Sequence, residues 1–417
     1  STPPDERNVR TAFGNNDIVQ MVGFVGPVPG NFHYLYYGSY TTNPYGFMGW
    51  HFVDTLTYLT YAITTSPVTD RVAFTYLRQK SFQDYPANSV DQDVYFLDST
   101  DGIQWNWEDK SNITNFVNSD IFRPSFDNDI IIDYNDRIHI VFSTPETHIN
   151  PEFPESTYTD RYTSFIWHWC EATDSFSVAA YGMESGYIPF SFWRMTVDRP
   201  QISIDPSSGY LYILYECHRP GDESNGGFPN TDLWITVSMD DGLNWSEGTN
   251  ITDTQTPDCN PGEGQSEIQA TIAGIVNDTL HIVYILDKDA GMFGMEEGSR
   301  VENKVIYQKI PADLIPTEPL LEQFSIRGLP PTGVDDPPDG LPAKFYLYQN
   351  YPNPFNSFTN IQFSITEKSN VKLTVYNVAG QVVEELLEKQ MVPGTYNIIW
   401  NGSDKFKRPV ASGIYFY

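Results

Sequence analysis

The residues best suited to chemistry in this chain gather in two places. The dipeptides Arg123-Pro124 and Arg199-Pro200 repeat at equivalent points, and a guanidinium can hold a carboxylate through two parallel hydrogen bonds. Glu216, His218 and Arg219 lie close together, downstream of Trp193 and Arg194. Glu216 is the best single candidate for a proton-transferring carboxyl, with Glu171 a poor second. Hydrolysis between two carboxyl groups needs a partner at a defined separation, and no spacing here supplies one. The alternative is that each arginine pairs with surrounding carboxylates and braces neighbouring elements. Repetition of its position favours that structural reading.

The other reactive side chains read more plainly. His139 and His281 occupy matching positions in two similar segments, which argues for hydrogen bonds in a repeated interior rather than for metal binding. There are three cysteines. Cys217 and Cys259 form a candidate disulfide if the chain passes through an oxidising compartment, and Cys170 reads as a small buried side chain. No Cys-x-x-Cys pair or histidine spacing suggests zinc. Asp127-Asn-Asp129, Asp287-Lys-Asp289 and Glu296-Glu297 offer oxygen ligands without a complete twelve-residue Ca²⁺ loop. Ca²⁺ is thus the only cofactor candidate, against solvated acidic loops as the simpler reading.

Charge excludes some partners. The formal charge is −30, from 24 Lys and Arg against 54 Asp and Glu. Residues 344–417 carry +2, so the preceding part carries about −32. Such a field repels nucleic acids and anionic membrane surfaces. No stretch approaches the length of a membrane span, no signal peptide is visible, and Ser1 has the look of a mature or trimmed start.

Tyr and Phe are frequent, Gly and Pro are spread throughout, and no long amphipathic helical period appears. Val382 to Gln390 is the best helical candidate, but it is short and sits between strand-like runs. The chain therefore reads as all-β. Four segments share a plan of alternating strand, short turn, strongly apolar strand, long polar loop and third strand. Their apolar strands, Arg71–Tyr76, Arg137–Phe142, Tyr210–Tyr215 and Thr279–Tyr284, start 66, 73 and 69 residues apart. Repeats of this length with four strands imply blades arranged radially and closing into a ring. Runs before Asp54, such as Phe32–Tyr37, supply a further blade, giving a five- or six-bladed β-propeller with five favoured.

In each blade the loop joining the second and third strands shares a face with the links between blades. The intervals 78–92, 143–162, 216–231 and 286–303 are long, whereas the other turns are short. The long loops mark that face as functional, and Arg123, Arg199, Glu216, His218, Arg219, Trp193 and Arg194 are its candidate binding residues.

Two third-strand turns carry a sharper pattern. Ser99-Thr-Asp101-Gly102-Ile-Gln-Trp105 and Ser238-Met-Asp-Asp241-Gly242-Leu-Asn-Trp245 resemble the Asp-box of sialidase-like propellers, the first with one residue fewer. Asp accepts turn N–H groups, Gly takes positive φ and Trp packs beneath the hairpin. These residues are read as staples without a catalytic role. The resemblance implies a candidate sialidase-like glycoside hydrolase. Against it, Phe122-Arg-Pro and Asp198-Arg-Pro stand where such sialidases carry Arg-Ile-Pro.

The repeat stops after Phe324, which bounds a propeller at residues 1–326. Residues 327–343, rich in Pro, Gly and Asp, read as an extended linker. Beyond it, Tyr351-Pro352-Asn353-Pro354-Phe355, Val371–Asn377 with Gly380, Pro393-Gly394-Thr-Tyr396 with Trp400, and Ala411–Tyr417 with Gly413 resemble, in order, the type A sorting domain of the type IX secretion system. That resemblance implies a small C-terminal β-sandwich over residues 344–417, handling by the type IX machinery, and passage through the periplasm to the outer surface or beyond. Members usually continue for about one more strand. The last strand is therefore expected to be absent from this sequence or supplied by a neighbour, which raises homo-assembly through the C-terminal domain.

Two functions remain open. The preferred one is a non-catalytic, exported glycan- or protein-binding or self-assembling protein, with the aromatic stretches Tyr34–Tyr45 and Phe153–Tyr162 as contact surfaces. The alternative is a glycoside hydrolase acting on extracellular glycans.

Overall fold

The computed structural model describes residues 7–28, 32–42, 45–56, 60–79, 92–116, 120–149, 157–183, 194–291, 296–320, 324, 326, 346–347, 350, 359–365, 368–391, 394–400, 402–406, 408, 410–411 and 413–417. The chain divides into two compact units, Ser1–Pro330 and Pro331–Tyr417.

The first unit is a β-propeller of five antiparallel sheets. The first sheet comprises β1 (Arg7–Phe13), β2 (Ile18–Val28), β3 (Phe32–Thr42) and β4 (Tyr45–Leu56). The second comprises β5 (Tyr61–Thr65), β6 (Val72–Gln79), β7 (Gln92–Ser99) and β8 (Ser111–Asn112), and the third β9 (Asn128–Ile132), β10 (Ile138–Ile149), β11 (Thr157–Cys170) and β12 (Ser175–Met183). The fourth holds β13 (Val197–Ile204), β14 (Leu211–Glu223), β15 (Pro229–Ser238) and β16 (Thr249–Asn250), and the fifth β17 (Ser266–Ile272), β18 (Thr279–Asp287) and β19 (Lys304–Pro311). The four repeated apolar runs are the second strands β6, β10, β14 and β18. Two of the expected long loops prove to be extensions of the hairpins themselves, because β10 runs on to Ile149 and β14 to Glu223.

A sheet with two apolar faces is stable only if both are covered. Successive sheets do this for one another. Val22, Leu35 and Tyr37 meet Phe74 and Tyr76 between the first two sheets. Val94 and Phe96 meet Phe142, Phe165 and Trp167 at the next junction. Val141 and Ile166 meet Ile202 and Ile213, and Leu214 and Ile235 meet Leu280 and Ile282. Sequence reasoning expects the ring to continue from the fifth sheet to the first. Among the described residues no such apolar junction joins them, and the faces that would meet are exposed, with Phe13 71 % and Val305 73 % accessible.

The rim bearing the short turns is laced between sheets by polar groups. Arg71 of the second sheet holds Glu171 of the third through two bonds of 2.8 and 3.0 Å. Glu171, weighed from sequence as a weaker acid candidate, is therefore half of an ion pair between blades. Arg137 grips Asp241 of the fourth sheet at 2.6 and 2.9 Å. His139 contacts His168 at 2.9 Å and Asp133 at 3.4 Å inside the third sheet. Burial opposes a charge on His139, but the bonds to Asp133 and Cys170 raise its pKa overall. Burial and the neighbouring His139 push His168 well down. The matching counterpart of His139, His281, instead bonds Tyr307 at 2.5 Å on the exposed face of the fifth sheet.

The Asp-box turns fold as staples, with one correction. In the first, Asp101 accepts the N–H groups of Ile103 and Gln104 at 2.8 and 2.7 Å, and Ser99 accepts that of Gly102. In the second, Asp240 takes this role, accepting Asn244 N–H at 2.9 Å, while Asp241 faces out to Arg137. The additional residue of the second turn lies between its capping Asp and Gly242, so Asp240 and not Asp241 aligns with Asp101. Trp245 packs into the junction of the third and fourth sheets and donates to Ser177 at 3.0 Å. Trp105 stacks on Trp107 and contacts Tyr37 of the first sheet.

After β19 the chain turns back as a strap. A 3₁₀ turn at Ala312–Leu314 leads to Leu320, whose N–H donates to Trp245 O at 2.7 Å. Phe324 then packs on Phe165 and Tyr181 of the third sheet, ring centres 4.8 Å apart in each case. The strap thus crosses from the fifth sheet over the fourth to the third.

The second unit is a small β-sandwich. One sheet orders β20 (Tyr346–Leu347), β21 (Thr359–Ile365) and β24 (Gly394–Trp400), and the other β23 (Val382–Met391), β22 (Ser369–Asn377) and β25 (Tyr415–Phe416). Ile361, Phe363, Leu373, Val375 and Trp400 form its core. The one helical candidate, Val382 to Gln390, is strand β23 paired with β22.

Two glycines separate backbone strain from packing. Gly209 and Gly242 have φ of +75° and +83°, but nothing approaches an added Cβ at Gly209, whereas at Gly242 it would run into the His168 ring. Gly209→Ala is expected to cost about 1 kcal/mol from left-handed strain alone. Gly242→Ala is expected to cost about 3 kcal/mol as overpacking adds to it. Urea melts of the two variants followed by far-UV circular dichroism check this, and equal losses would contradict it.

Candidate functional site

Four of the expected binding residues, Arg194, Arg199, Glu216 and His218, come together where β13, β14 and β17 meet. Residue Arg199 has φ of +53° and interrupts the register between Asp198 and Gln201. That bulge sets Asp198 opposite Glu216. Arg194, in the link before β13, pairs with Glu216 Oε2 and lies 3.5 Å from Asp198 Oδ1. Arg199 Nε is 3.8 Å from the same Glu216 oxygen. The other oxygen, Oε1, accepts Ala270 N–H of β17 at 3.2 Å, which ties the fourth sheet to the fifth. Asp198 Oδ2 accepts Met195 N–H at 3.0 Å.

Electrostatics follow from burial. The Asp198 carboxyl is raised to about 7 by burial, against the pull of Arg194. Burial likewise raises Asp127, with Arg199, Glu216 and Arg194 in its field. Burial alone would weaken the proton on Arg194, but Glu216 and Asp198 reverse this and hold the guanidinium charged. His218 is pushed down to about 3, first by burial and then by Arg194, and contacts Thr231 Oγ1 at 3.1 Å. It is a neutral imidazole at physiological pH.

The arrangement limits the chemistry. Glu216 has a side-chain exposure of 0 %, and both its oxygens are engaged. A general acid must reach the atom it protonates. Glu216 is built instead as a charge brace between blades. Arg194 and Arg199 pair with it. Arg123 does not: it is buried and donates to Asp120 O at 3.1 Å. Trp193 and the Arg219 side chain lie outside the described residues, as does Tyr351 to Phe355 of the sorting motif.

None of Cys170, Cys217 and Cys259 is disulfide-bonded, so the candidate Cys217–Cys259 disulfide is not present. Cys217 packs toward the junction of the third and fourth sheets. Cys259 is buried in the link against Gly264. Among the described residues no group of three His, Cys, Asp or Glu converges to hold a metal. Three of the carboxylates considered for Ca²⁺ accept backbone donors: Asp129 accepts Ile202 N–H at 3.0 Å, Asp287 accepts Asp289 N–H at 3.2 Å, and Asp289 accepts Ser299 N–H at 2.6 Å.

One repeated device escapes the sequence reading. Asp93 of β7 accepts Asn112, Thr114 and Phe116 N–H, and Asp232 of β15 accepts Asn250, Thr252 and Thr254 N–H in the same way. The signal is the recurrence of Asn-Ile-Thr at 112–114 and 250–252. It lies in the two sheets that carry Asp-box turns. A groove of about 870 Å³ lies on the short-turn rim between the fourth and fifth sheets, lined by Asp205, Tyr210, Tyr212, Asp278 and Leu314. It lies at the opposite strand ends from Glu216.

The outer face of the first sheet has no partner sheet among the described residues. Register places Tyr36 opposite Phe52, Gly38 opposite Trp50 and Tyr40 opposite Phe47, with Met21 and Val25 of β2 alongside. The absent side chain of Gly38 makes room for the Trp50 ring. Phe52 stands edge-on to both Tyr34 and Tyr36, with ring centres 5.8 Å apart. The stretch Tyr34–Tyr45, read from sequence as a contact surface, is mainly strand β3.

Glu267 gives the site a pH signature. Burial raises its pKa to about 7, with Asp232 adding to the shift, while Thr254 donates to it. A carboxyl raised on folding stabilises fully below its unfolded pKa and loses that contribution as pH rises through the folded value. Thermal melts should therefore show wild-type stability falling between about pH 4.5 and 7, by on the order of 3 kcal/mol from this group. Glu267→Gln is expected to flatten that slope, and an unchanged slope would refute the assignment.

Residues 349–417 match the family model of the secretion system C-terminal sorting domain. No curated protein sequence matches the chain. Among solved structures, polysaccharide lyase Uly1 is similar at 11 % identity and a TM-score of 0.40, over 92 % of this chain and 88 % of that one. An endo-arabinase from Bacteroides thetaiotaomicron VPI-5482 is similar at 12 % identity and 0.36, over 73 % and 93 %. The Hadza microbial sialidase Hz136 is similar at 9 % identity and 0.33, over 74 % of this chain and 66 % of that one. This chain thus spans just under two thirds of the sialidase, and these likenesses carry no argument about activity. The C-terminal unit is a type IX sorting domain, and the protein is exported to the outer cell surface or the extracellular space.

Proposed function

We propose that this exported propeller is a non-catalytic binding protein, and that it engages its partner through the aromatic outer face of the first sheet. The observation that carries this reading is the exposure of that face. Tyr45 is 81 % and Phe52 47 % accessible, beside Tyr34 and Phe47. Aromatic rings with one open side stack on sugar rings or pack into a protein partner at small entropic cost. Contiguous apolar patches of this kind mark interaction surfaces on soluble proteins. The locking of Glu216 between Arg194, Arg199 and Ala270 supports the same reading by removing the leading acid candidate.

A glycoside hydrolase is the second reading, and Asp127 favours it. That residue is only partly accessible, burial raises its carboxyl, and Arg199 and Glu216 lie in its field. A screen of the full chain with neutral and sialylated chromogenic glycosides separates the two. No turnover is expected. Turnover abolished by Glu216→Gln or Asp127→Asn in a folded variant would overturn the non-catalytic reading. In parallel, Phe52→Lys is expected to weaken binding to immobilised extracellular polysaccharide or surface protein at least tenfold, and unchanged binding would reject the aromatic face.

A further inference from the structure

The four buried junctions of the propeller follow one rule. Each sheet offers its trailing face to the leading face of the next, in the order first to fifth. Two faces are left over among the described residues. One is the leading face of the first sheet, with Phe13, Met21, Tyr36, Trp50 and Phe52. The other is the trailing face of the fifth sheet. There the pairs Val283–Tyr307 and Ile285–Val305 lie side by side, flanked by His281 and Lys309. Val305 is 73 % and Tyr307 55 % exposed. Within one chain both faces are open at once, so neither covers the other.

We infer that these faces pair between molecules, the first sheet of one copy receiving the fifth sheet of the next. This inference rests on the binding reading above and names the partner as a second copy of this chain. Three observations support it. The pairing repeats, between chains, the junction already made four times within each chain. In a chain with 54 acidic residues, the register places one acid in line with these positions, Asp287 at the end of β18, and it is already buried and bonded to Asn303, so few carboxylates lose water where the surfaces meet. The size fits a weak, reversible contact. The limiting face is the three-stranded fifth sheet, whose strands of seven, nine and eight residues span roughly 10 by 27 Å. Pairing therefore buries on the order of 500 Å² in total, the scale of a transient, concentration-dependent association.

The two faces differ, so the contact is heterologous. It propagates from copy to copy into a chain or a closed ring and does not stop at a two-fold dimer. The net charge of −30 on each copy opposes association at low ionic strength, and screening relieves it.

Sedimentation of the full-length protein over about 1–200 µM, at low and high NaCl, tests this. The expected result is a mass that rises with concentration beyond dimer and rises further with salt. Phe52→Lys and Val305→Lys, both at exposed positions, should each give monomers with unchanged circular dichroism. An equimolar mixture of the two variants should form a dimer and go no further, because each retains one intact face. Monomers at every concentration, assembly insensitive to both variants, or a wild type that halts at dimer would each overturn the inference. If the protein is monomeric while Phe52→Lys still loses polysaccharide or surface-protein binding, the inference fails and the reading of the aromatic face stands.

Discussion

The structure depends on the covering of sheet faces. A β-sheet whose strands are apolar on both sides cannot sit alone in water, and in this chain nearly every strand of the inner sheets is of that kind. All six residues from Val72 to Leu77 are buried on both sides of the second sheet. The same requirement sets the order of the sheets, the stacking of Phe142, Phe165 and Trp167 between them, and the shortness of the turns on one rim. The polar lacing of that rim is secondary. Arg71, Arg137 and the Asp-box turns fix the angle and register of sheets that apolar burial has already brought together.

Charge inside such a stack needs compensation, and the Arg194–Glu216–Asp198 group illustrates how it is met. Removing ions from water costs several kcal/mol each, and their attraction offsets this only when hydrogen bonds occupy the remaining positions. Met195 N–H and Ala270 N–H provide those bonds. The carboxyl that looks most like a catalyst in the sequence is thus the one most completely enclosed. The arginines that look like ligand clamps close on the protein itself.

Much of the architecture is legible in the sequence because period and spacing report it directly. The apolar runs at Arg71, Arg137, Tyr210 and Thr279 locate four second strands, and the ordered motifs from Tyr351 to Tyr417 locate the export domain. What fails is whatever depends on partners distant in the chain. Asp240 and Asp241 are adjacent acids, and only the geometry of the turn decides which caps it and which reaches Arg137. Cys217 and Cys259 appear close on topological grounds, yet their side chains belong to different packing layers. Gly38 interrupts the aromatic pattern of Tyr34 to Tyr45, while in the fold that glycine is what lets Trp50 lie across the strand. Asp198 carries no spacing signal of its own and gains its place from the backbone bulge at Arg199.

The strap that leaves the fifth sheet bears on how the molecule responds to mechanical load. Tension applied along the polypeptide from its C-terminal side reaches the propeller first at Ile326, buried in the core of the third sheet, then at Phe324 and Leu320, and only afterwards at β19. Those anchors lie flat across the third and fourth sheets, so they must be peeled off one after another before force acts on any ladder of strands. The strap therefore works as a sacrificial tether that absorbs a pull before the sheets begin to unzip.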